Sequence, residues 1–437
     1  MNDNSVEIKK KIFDLVNNYS KINFSEKKFI PGVSEVAVSG KVIGFLELQN
    51  MVEASLDGSL TAGRFNKQFE EKLSNFLGIK SLLTVNSGSS ANLIAFSTLT
   101  SSKLKERAIQ KGDEIISVAA GFPTTVNPIV QFGAIPVFID IKIPTYNIDE
   151  NLIEDAITKK TKGVMLAHTL GNPFNVQKIK DICNKYNLWL IEDSCDALGS
   201  KFNNQNVGTF GDLATLSFYP AHHITMGEGG AVFTNSIKLA RIAESFRDWG
   251  RDCYCEPGKD NTCNKRFSWQ LGDLPFGYDH KYTYSHLGYN MKITDMQAAC
   301  GLAQLASLDE FIFKRKENFN FLYKNLKDLQ ELLILPQAEK NSDPSWFGFP
   351  ISLKTNNKFN RSNLIKYLNN NKIGTRLLFG GNLIKQPYMK NVNFKVHGEL
   401  KNTDFIMENT FWIGLYPGLS QEHLEYSVSK IKNFFNI

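Results

Sequence analysis

The stretch Ser217-Phe218-Tyr219-Pro220-Ala221-His222-His223-Ile224-Thr225-Met226-Gly227-Glu228-Gly229-Gly230 follows one short apolar run, residues 213–218, and leads into another, 231–234. Earlier apolar runs lie at 82–85, 114–119, 135–139, 163–167 and 188–192, with helical stretches between them. Strands alternating with helices predict a mostly parallel sheet covered on both faces. Such sheets bind ligands beyond the carboxyl ends of their strands. Residues 86–92, 121–125, Asp193 and 217–222 all fall at those ends. The expected fold class is therefore α/β, a large mostly parallel sheet domain with a smaller C-terminal α/β domain.

The expected domains are an N-terminal helical segment over 1–40, a large domain over 41–284 with a cysteine-rich insert near 251–284, and a small domain over 285–437. The first helix would gather Ile8, Ile12, Leu15, Val16 and Tyr19 on one face. The small domain would open with a helical run to about Leu329. Strand-like 346–353, helical 361–369, strand-like 410–416 and a helix from Ser420 would follow.

A chain of 437 residues with 42% hydrophobic content can bury a large core. Fifty basic against 44 acidic residues leave a charge of +6. That balance suits an anionic small molecule and is too dispersed for nucleic acid. The N-terminus lacks an apolar leader and no apolar run would cross a bilayer, so the cytoplasm is the expected location. Six cysteines in that setting read as thiols or metal ligands.

Asn86-Ser87-Gly88-Ser89-Ser90-Ala91 lies between a strand and a helix. Gly88 and Ser89 would let backbone N–H groups at a helix N-terminus meet a phosphate. A plain serine N-cap is the competing explanation.

The run from Ser217 resembles the cofactor segment of the DegT/DnrJ/EryC1/StrS sugar aminotransferases. There Ser-Phe-x-x-x-Lys precedes Gly-Glu-Gly-Gly, and the lysine forms a Schiff base with pyridoxal phosphate. The lysine position here is His222, and an imidazole has no primary amine to form an imine. The resemblance runs from about residue 40 to the C-terminus and implies an aspartate aminotransferase-like (type I PLP-dependent) fold. It further implies that Phe122 stacks on the pyridine ring, Asp193 pairs with the pyridinium nitrogen, and Ser217 binds the phosphate. Asn290 would reach the phosphate of the neighbouring subunit, which makes the protein a homodimer with shared active sites. Asp196 departs from the pattern, since the family commonly has Gln or His there, close to the ring hydroxyl.

Cys195, Cys253, Cys255 and Cys263 are spaced Cys-x57-Cys-x-Cys-x7-Cys. Four thiolates suit either an iron–sulfur cluster or zinc. Cys195 follows Asp193 by two residues, and a redox centre has a purpose beside an electron-sink cofactor. Cys183 and Cys300 fall in helical patterns and read as core thiols.

His222 together with this spacing is similar to the pyridoxamine 5'-phosphate (PMP/PLP) and [2Fe-2S] cluster subgroup of that family, the 3-dehydrases of 3,6-dideoxyhexose synthesis. The resemblance implies C3 dehydration of a nucleotide-linked 4-keto-6-deoxyhexose, with CDP as the expected nucleotide and O-antigen lipopolysaccharide as the setting. His222 would be the catalytic base, and an NAD(P)H-dependent flavin/iron–sulfur reductase would supply electrons.

Three alternatives stay open: a cluster-free sugar 3-dehydratase, an ordinary aminotransferase, and a non-catalytic zinc-stabilised binding protein. The aminotransferase would need a lysine, and Lys201 and Lys238 are misplaced for it. Arg376 and Asn382 would face the sugar or diphosphate, or for the arginine the surface. His223 is a second possible base, while His168, His280 and His286 have no supporting motif.

Overall fold

The computed structural model describes residues 3–25, 28–253, 255, 260–262, 264–355 and 358–436. Its centre is a sheet containing β1 (Ser81–Val85), β2 (Glu114–Ser117), β3 (Ile135–Phe138), β4 (Thr161–Ala167), β5 (Trp189–Asp193), β6 (Leu213–Ser217) and β7 (Gly230–Thr234). The order across it is β1-β7-β6-β5-β4-β2-β3, with the short strand Lys395–Val396 at the β3 edge. From β6 to that edge the pairs are parallel, whereas β7 runs antiparallel to both β1 and β6.

Strands β5, β6 and β7 are buried at every position, as a sheet covered on both faces requires. The two-residue period of a strand divides each apolar run between two cores. Val164, Leu166 and Leu190 enter one core, and Met165, Trp189 and Ile191 enter the other. Helix α4 (Gly88–Leu99) packs into the second core through Ala91, Ile94 and Ala95.

A second, four-stranded antiparallel sheet joins Leu333–Ile334, Gly348–Leu353, Thr410–Gly414 and Thr375–Leu377 in that order. Helices Leu308–Leu326 and Gln421–Phe434 cover it through Leu322, Leu326, Leu424 and Ile431.

Two boundaries differ from the sequence expectation. The helical run from 285 is an irregular stretch followed by separate helices, Asp295–Leu305 and Leu308–Leu326. The first of these packs with Phe65, Phe69 and Leu73 beside the large sheet, so the large unit extends past residue 284. Helical periodicity shows that a face is apolar but not which core covers it. At the other end, α1 (Asp3–Asn23) leaves Ile8, Leu15 and Tyr19 exposed, whereas Phe29 and Val36 join the core of the small sheet.

Candidate active site

The carboxyl ends of β1, β5 and β6 open into a cavity of about 960 Å³. At one end, Ser87 caps α4 and its Oγ accepts from Ser90 N–H at 3.0 Å. The N-cap reading of this loop is therefore correct, and it leaves room for an anion as well. A Cβ on Gly88 would lie 2.5 Å from Ser217 Cβ, and one on Gly230 would lie 2.4 Å from the Ser87 carbonyl oxygen. Glycine at both positions lets the Gly-Glu-Gly-Gly segment and Ser217 close against the start of α4. Gly88, Ser89 and Ser217 all line the cavity there, an arrangement suited to a phosphate group.

Asp193 ends β5 on the cavity floor, with four donors around its carboxylate. Its Oδ2 accepts from Asn92 Nδ2 and Thr125 Oγ1, both at 2.7 Å. Its Oδ1 accepts from Cys195 N–H at 3.2 Å and from Thr215 Oγ1 at 3.4 Å. This fixes the carboxylate where a cationic ring nitrogen would need it. Phe122 also lines the cavity and is 51% exposed, with Phe379 edge-on to it at 5.9 Å. An apolar ring left open inside a cavity is a stacking surface for a flat ligand. The anion seat, fixed carboxylate and open ring fit a pyridoxamine phosphate, which Gly88, Ser89, Ser217, Asp193 and Phe122 would hold.

His222 lines the cavity and His223 does not. The His223 ring is bonded to the Ser345 carbonyl at 2.8 Å and buried. His222 is 15% exposed at its side chain, and its Nδ1 lies 3.5 Å from Asp196 Oδ1 without hydrogen-bond alignment. Burial, reinforced by the nearby Arg315 charge, pushes the imidazole down to about 4. Burial, reinforced by Asp193, pushes the Asp196 carboxyl up to about 8. At neutral pH the contact therefore joins two neutral groups and is not an ion pair. No described lysine lines the cavity.

Arg315, fully buried, was not singled out in the sequence. Its guanidinium donates to the carbonyls of Trp346, Phe347 and His222 at 3.1–3.2 Å. It ties the backbone of the His222 turn to the second sheet. Asn92, Thr125 and Thr215 were also passed over. Only Asn92 carried a local signal, lying one helical turn beyond Gly88.

Arg376 lines the cavity, but Asn382 does not. Asn382 is buried, donates to Asp404 and caps the turn at Ile384. His168 is bonded to Glu192 inside the core, and His286 spans Ser101 and Ser245. His280 stacks on Trp269. Cys183 and Cys300 are buried, as their helical patterns imply.

Cys195 lines the cavity, its Sγ 3.2 Å from where a Gly88 Cβ would stand. Cys253 and Cys255 are half-buried elsewhere, and Cys255 Sγ meets Thr262 Oγ1 at 3.1 Å. Cys263 lies outside the described residues. Among the described residues no three His, Cys, Asp or Glu side chains gather as a metal site, so the described thiols of one chain do not by themselves fit a cluster. Asn290 is exposed and does not line the cavity of its own chain.

The chain is similar to known proteins along nearly its whole length. The chain is 64% identical over 430 residues to the lipopolysaccharide biosynthesis protein RfbH of Salmonella typhimurium, covering 98% of each chain. It is 50% identical to the dTDP-4-dehydro-2,6-dideoxy-D-glucose 3-dehydratase of Saccharopolyspora spinosa, covering 93% of this chain and 88% of that one. Among solved structures, E. coli GDP-4-keto-6-deoxy-D-mannose-3-dehydratase with bound hydrated PLP superimposes with a TM-score of 0.81 at 29% identity. That match covers 91% of this chain and 99% of the other. The fold is the type I PLP aminotransferase-like α/β fold, and no helix among the described residues is long and apolar enough to cross a membrane. With residues 43–432 matching its family model, the chain belongs to the DegT/DnrJ/EryC1/StrS aminotransferase family.

Proposed function

We propose that the chain is a pyridoxamine phosphate-dependent nucleotide-sugar 3-dehydratase of deoxysugar and lipopolysaccharide biosynthesis. The finer reading is a CDP-6-deoxy-L-threo-D-glycero-4-hexulose 3-dehydrase, acting on CDP-4-keto-6-deoxy-D-glucose. The observation that carries it is a cofactor-shaped cavity bordered by neutral His222 where an aminotransferase needs a lysine.

Pyridoxamine phosphate, when bound, supplies an amine for a sugar ketone and a ring that accepts electrons. The chain's own residues do the rest. Gly88, Ser89 and Ser217 would hold the phosphate, Phe122 would lie against the ring, and Asp193 would face its protonated nitrogen. The His222 imidazole borders the cavity in its neutral form and can take a proton from carbon, while its buried Nδ1 lies beside Asp196. Asp196, held protonated beside it, can return a proton as the C3 hydroxyl leaves. Buried side chains such as Phe347 and Trp412 form walls that limit water.

Cys195, Cys253, Cys255 and Cys263 are proposed as ligands of a [2Fe-2S] cluster, served by a separate NAD(P)H-dependent flavin/iron–sulfur reductase. Their spacing supports this, as does the place of Cys195 beside the cofactor seat. A homodimer with Asn290 directed at the partner's phosphate belongs to the same reading. A cluster-free dehydratase is the second reading, favoured by the separation of Cys195 from Cys253 and Cys255.

The test is anaerobic turnover of CDP-4-keto-6-deoxy-D-glucose with pyridoxamine phosphate, with and without the reductase. His222→Asn should lower loss of the C3 hydroxyl by about 10²–10⁴, the usual contribution of a positioned base. Unchanged turnover would remove His222 from the role of base. Iron and sulfide analysis separates the two dehydratase readings.

A further inference from the structure

We propose that the cysteine ligands are divided between two copies of the chain, Cys195 of one subunit being completed by Cys253 and Cys255 of the other. This rests on the proposed function, since it concerns where that reading's cluster is bound.

Helix α4 separates the two sets of thiols. Cys195 Sγ sits at its N-terminal end, against Gly88 and 4.0 Å from Thr215 Oγ1. Cys253 follows Asp252, whose carboxylate meets Lys103 Nζ at 2.5 Å, just past the other end of α4. The surrounding chain is tied to that same end. Arg251 pairs with Tyr284, and His286 joins Ser101 Oγ at 2.6 Å to Ser245 Oγ at 2.8 Å. From Gly88 to Leu99 the helical rise amounts to about 16 Å. A metal holds each thiolate at roughly 2.3 Å, so thiols anchored at opposite ends of that helix are poorly placed to share a small cluster within one chain.

The segment that carries Cys253 also exposes a run of large apolar side chains. Trp249, Tyr282 and Tyr284 are exposed and Leu287 is 93% exposed. Such a strip marks a contact surface. A second copy of this chain answers both observations at once, because it covers the strip and brings a Cys253–Cys255 pair to an open cavity that already holds Cys195. Two-fold symmetry makes the exchange reciprocal, giving two equal sites per dimer.

Subunit complementation tests the division. Cys195→Ser and Cys253→Ser chains carrying different tags are co-expressed, purified over both tags, and reconstituted anaerobically with iron and sulfide. The readouts are iron content and the electron paramagnetic resonance signal of the reduced cluster, neither of which depends on turnover. Each single-variant dimer should be nearly empty. In the mixed dimer one site loses both contributions and the other keeps both, so about half of the wild-type cluster should return. A mixed dimer as empty as its parents, beside a loaded wild type, overturns the division. A wild type that binds no iron overturns the cluster itself, which distinguishes failure of the underlying reading. Far-ultraviolet circular dichroism and the thermal midpoint verify that each variant folds, and the pair Cys195→Ala with Cys255→Ser must give the same restoration.

Discussion

His222 and Asp196 are poised by burial in opposite directions, one losing its proton easily and the other keeping it. For His222 the working form is the neutral one, so dehydration should hold above pH about 4 and fall as pH drops through that value. For Asp196 the working form is protonated, so the rate should fall as pH rises through about 8. Asp196→Asn should flatten the upper limb of the kcat/KM profile and leave the lower one. An unchanged upper limb would assign it to another group. Arg315 acts through backbone. Arg315→Met strands three buried carbonyls, with an expected loss of about 3 kcal/mol in the denaturant midpoint analysis. A change within experimental error would mean that the carbonyls find other donors.

At the scale of elements, the start of α4 is where β1, β6 and β7 converge. Gly88→Ala would force its Cβ onto Ser217 and toward Cys195, and Gly230→Ala would press on the Ser87 carbonyl. Each should weaken pyridoxamine phosphate binding at least about tenfold, equivalent to about 1.4 kcal/mol, as read by absorbance titration. Tight binding in both variants would show that the phosphate is held elsewhere. This junction was largely legible in the sequence, because Gly88, Asp193, Ser217 and His222 stand at strand ends in recognisable local patterns. Arg315 was not legible, since it reaches the His222 carbonyl across 93 residues of chain. Thr125 was equally hidden, its partner Asp193 lying 68 residues away.

Across the whole molecule, the exposed strip around Leu287 should govern association. On the proposed dimer and divided cluster, Leu287→Asp should shift the protein toward monomer in sedimentation velocity and lower its iron content in parallel. A dimer that persists with full iron would place the contact on another surface.

Apolar periodicity established the α/β class and which strand ends carry the motifs, and the family resemblance marked the position where histidine stands for lysine, because each is written in residues close together in the chain. The tertiary structure decided which histidine faces the cavity, which charges surround it, and that Cys195 and Cys253 lie at opposite ends of α4. Those outcomes depend on burial and on contacts between distant segments, and spacing along a chain carries no direct measure of either.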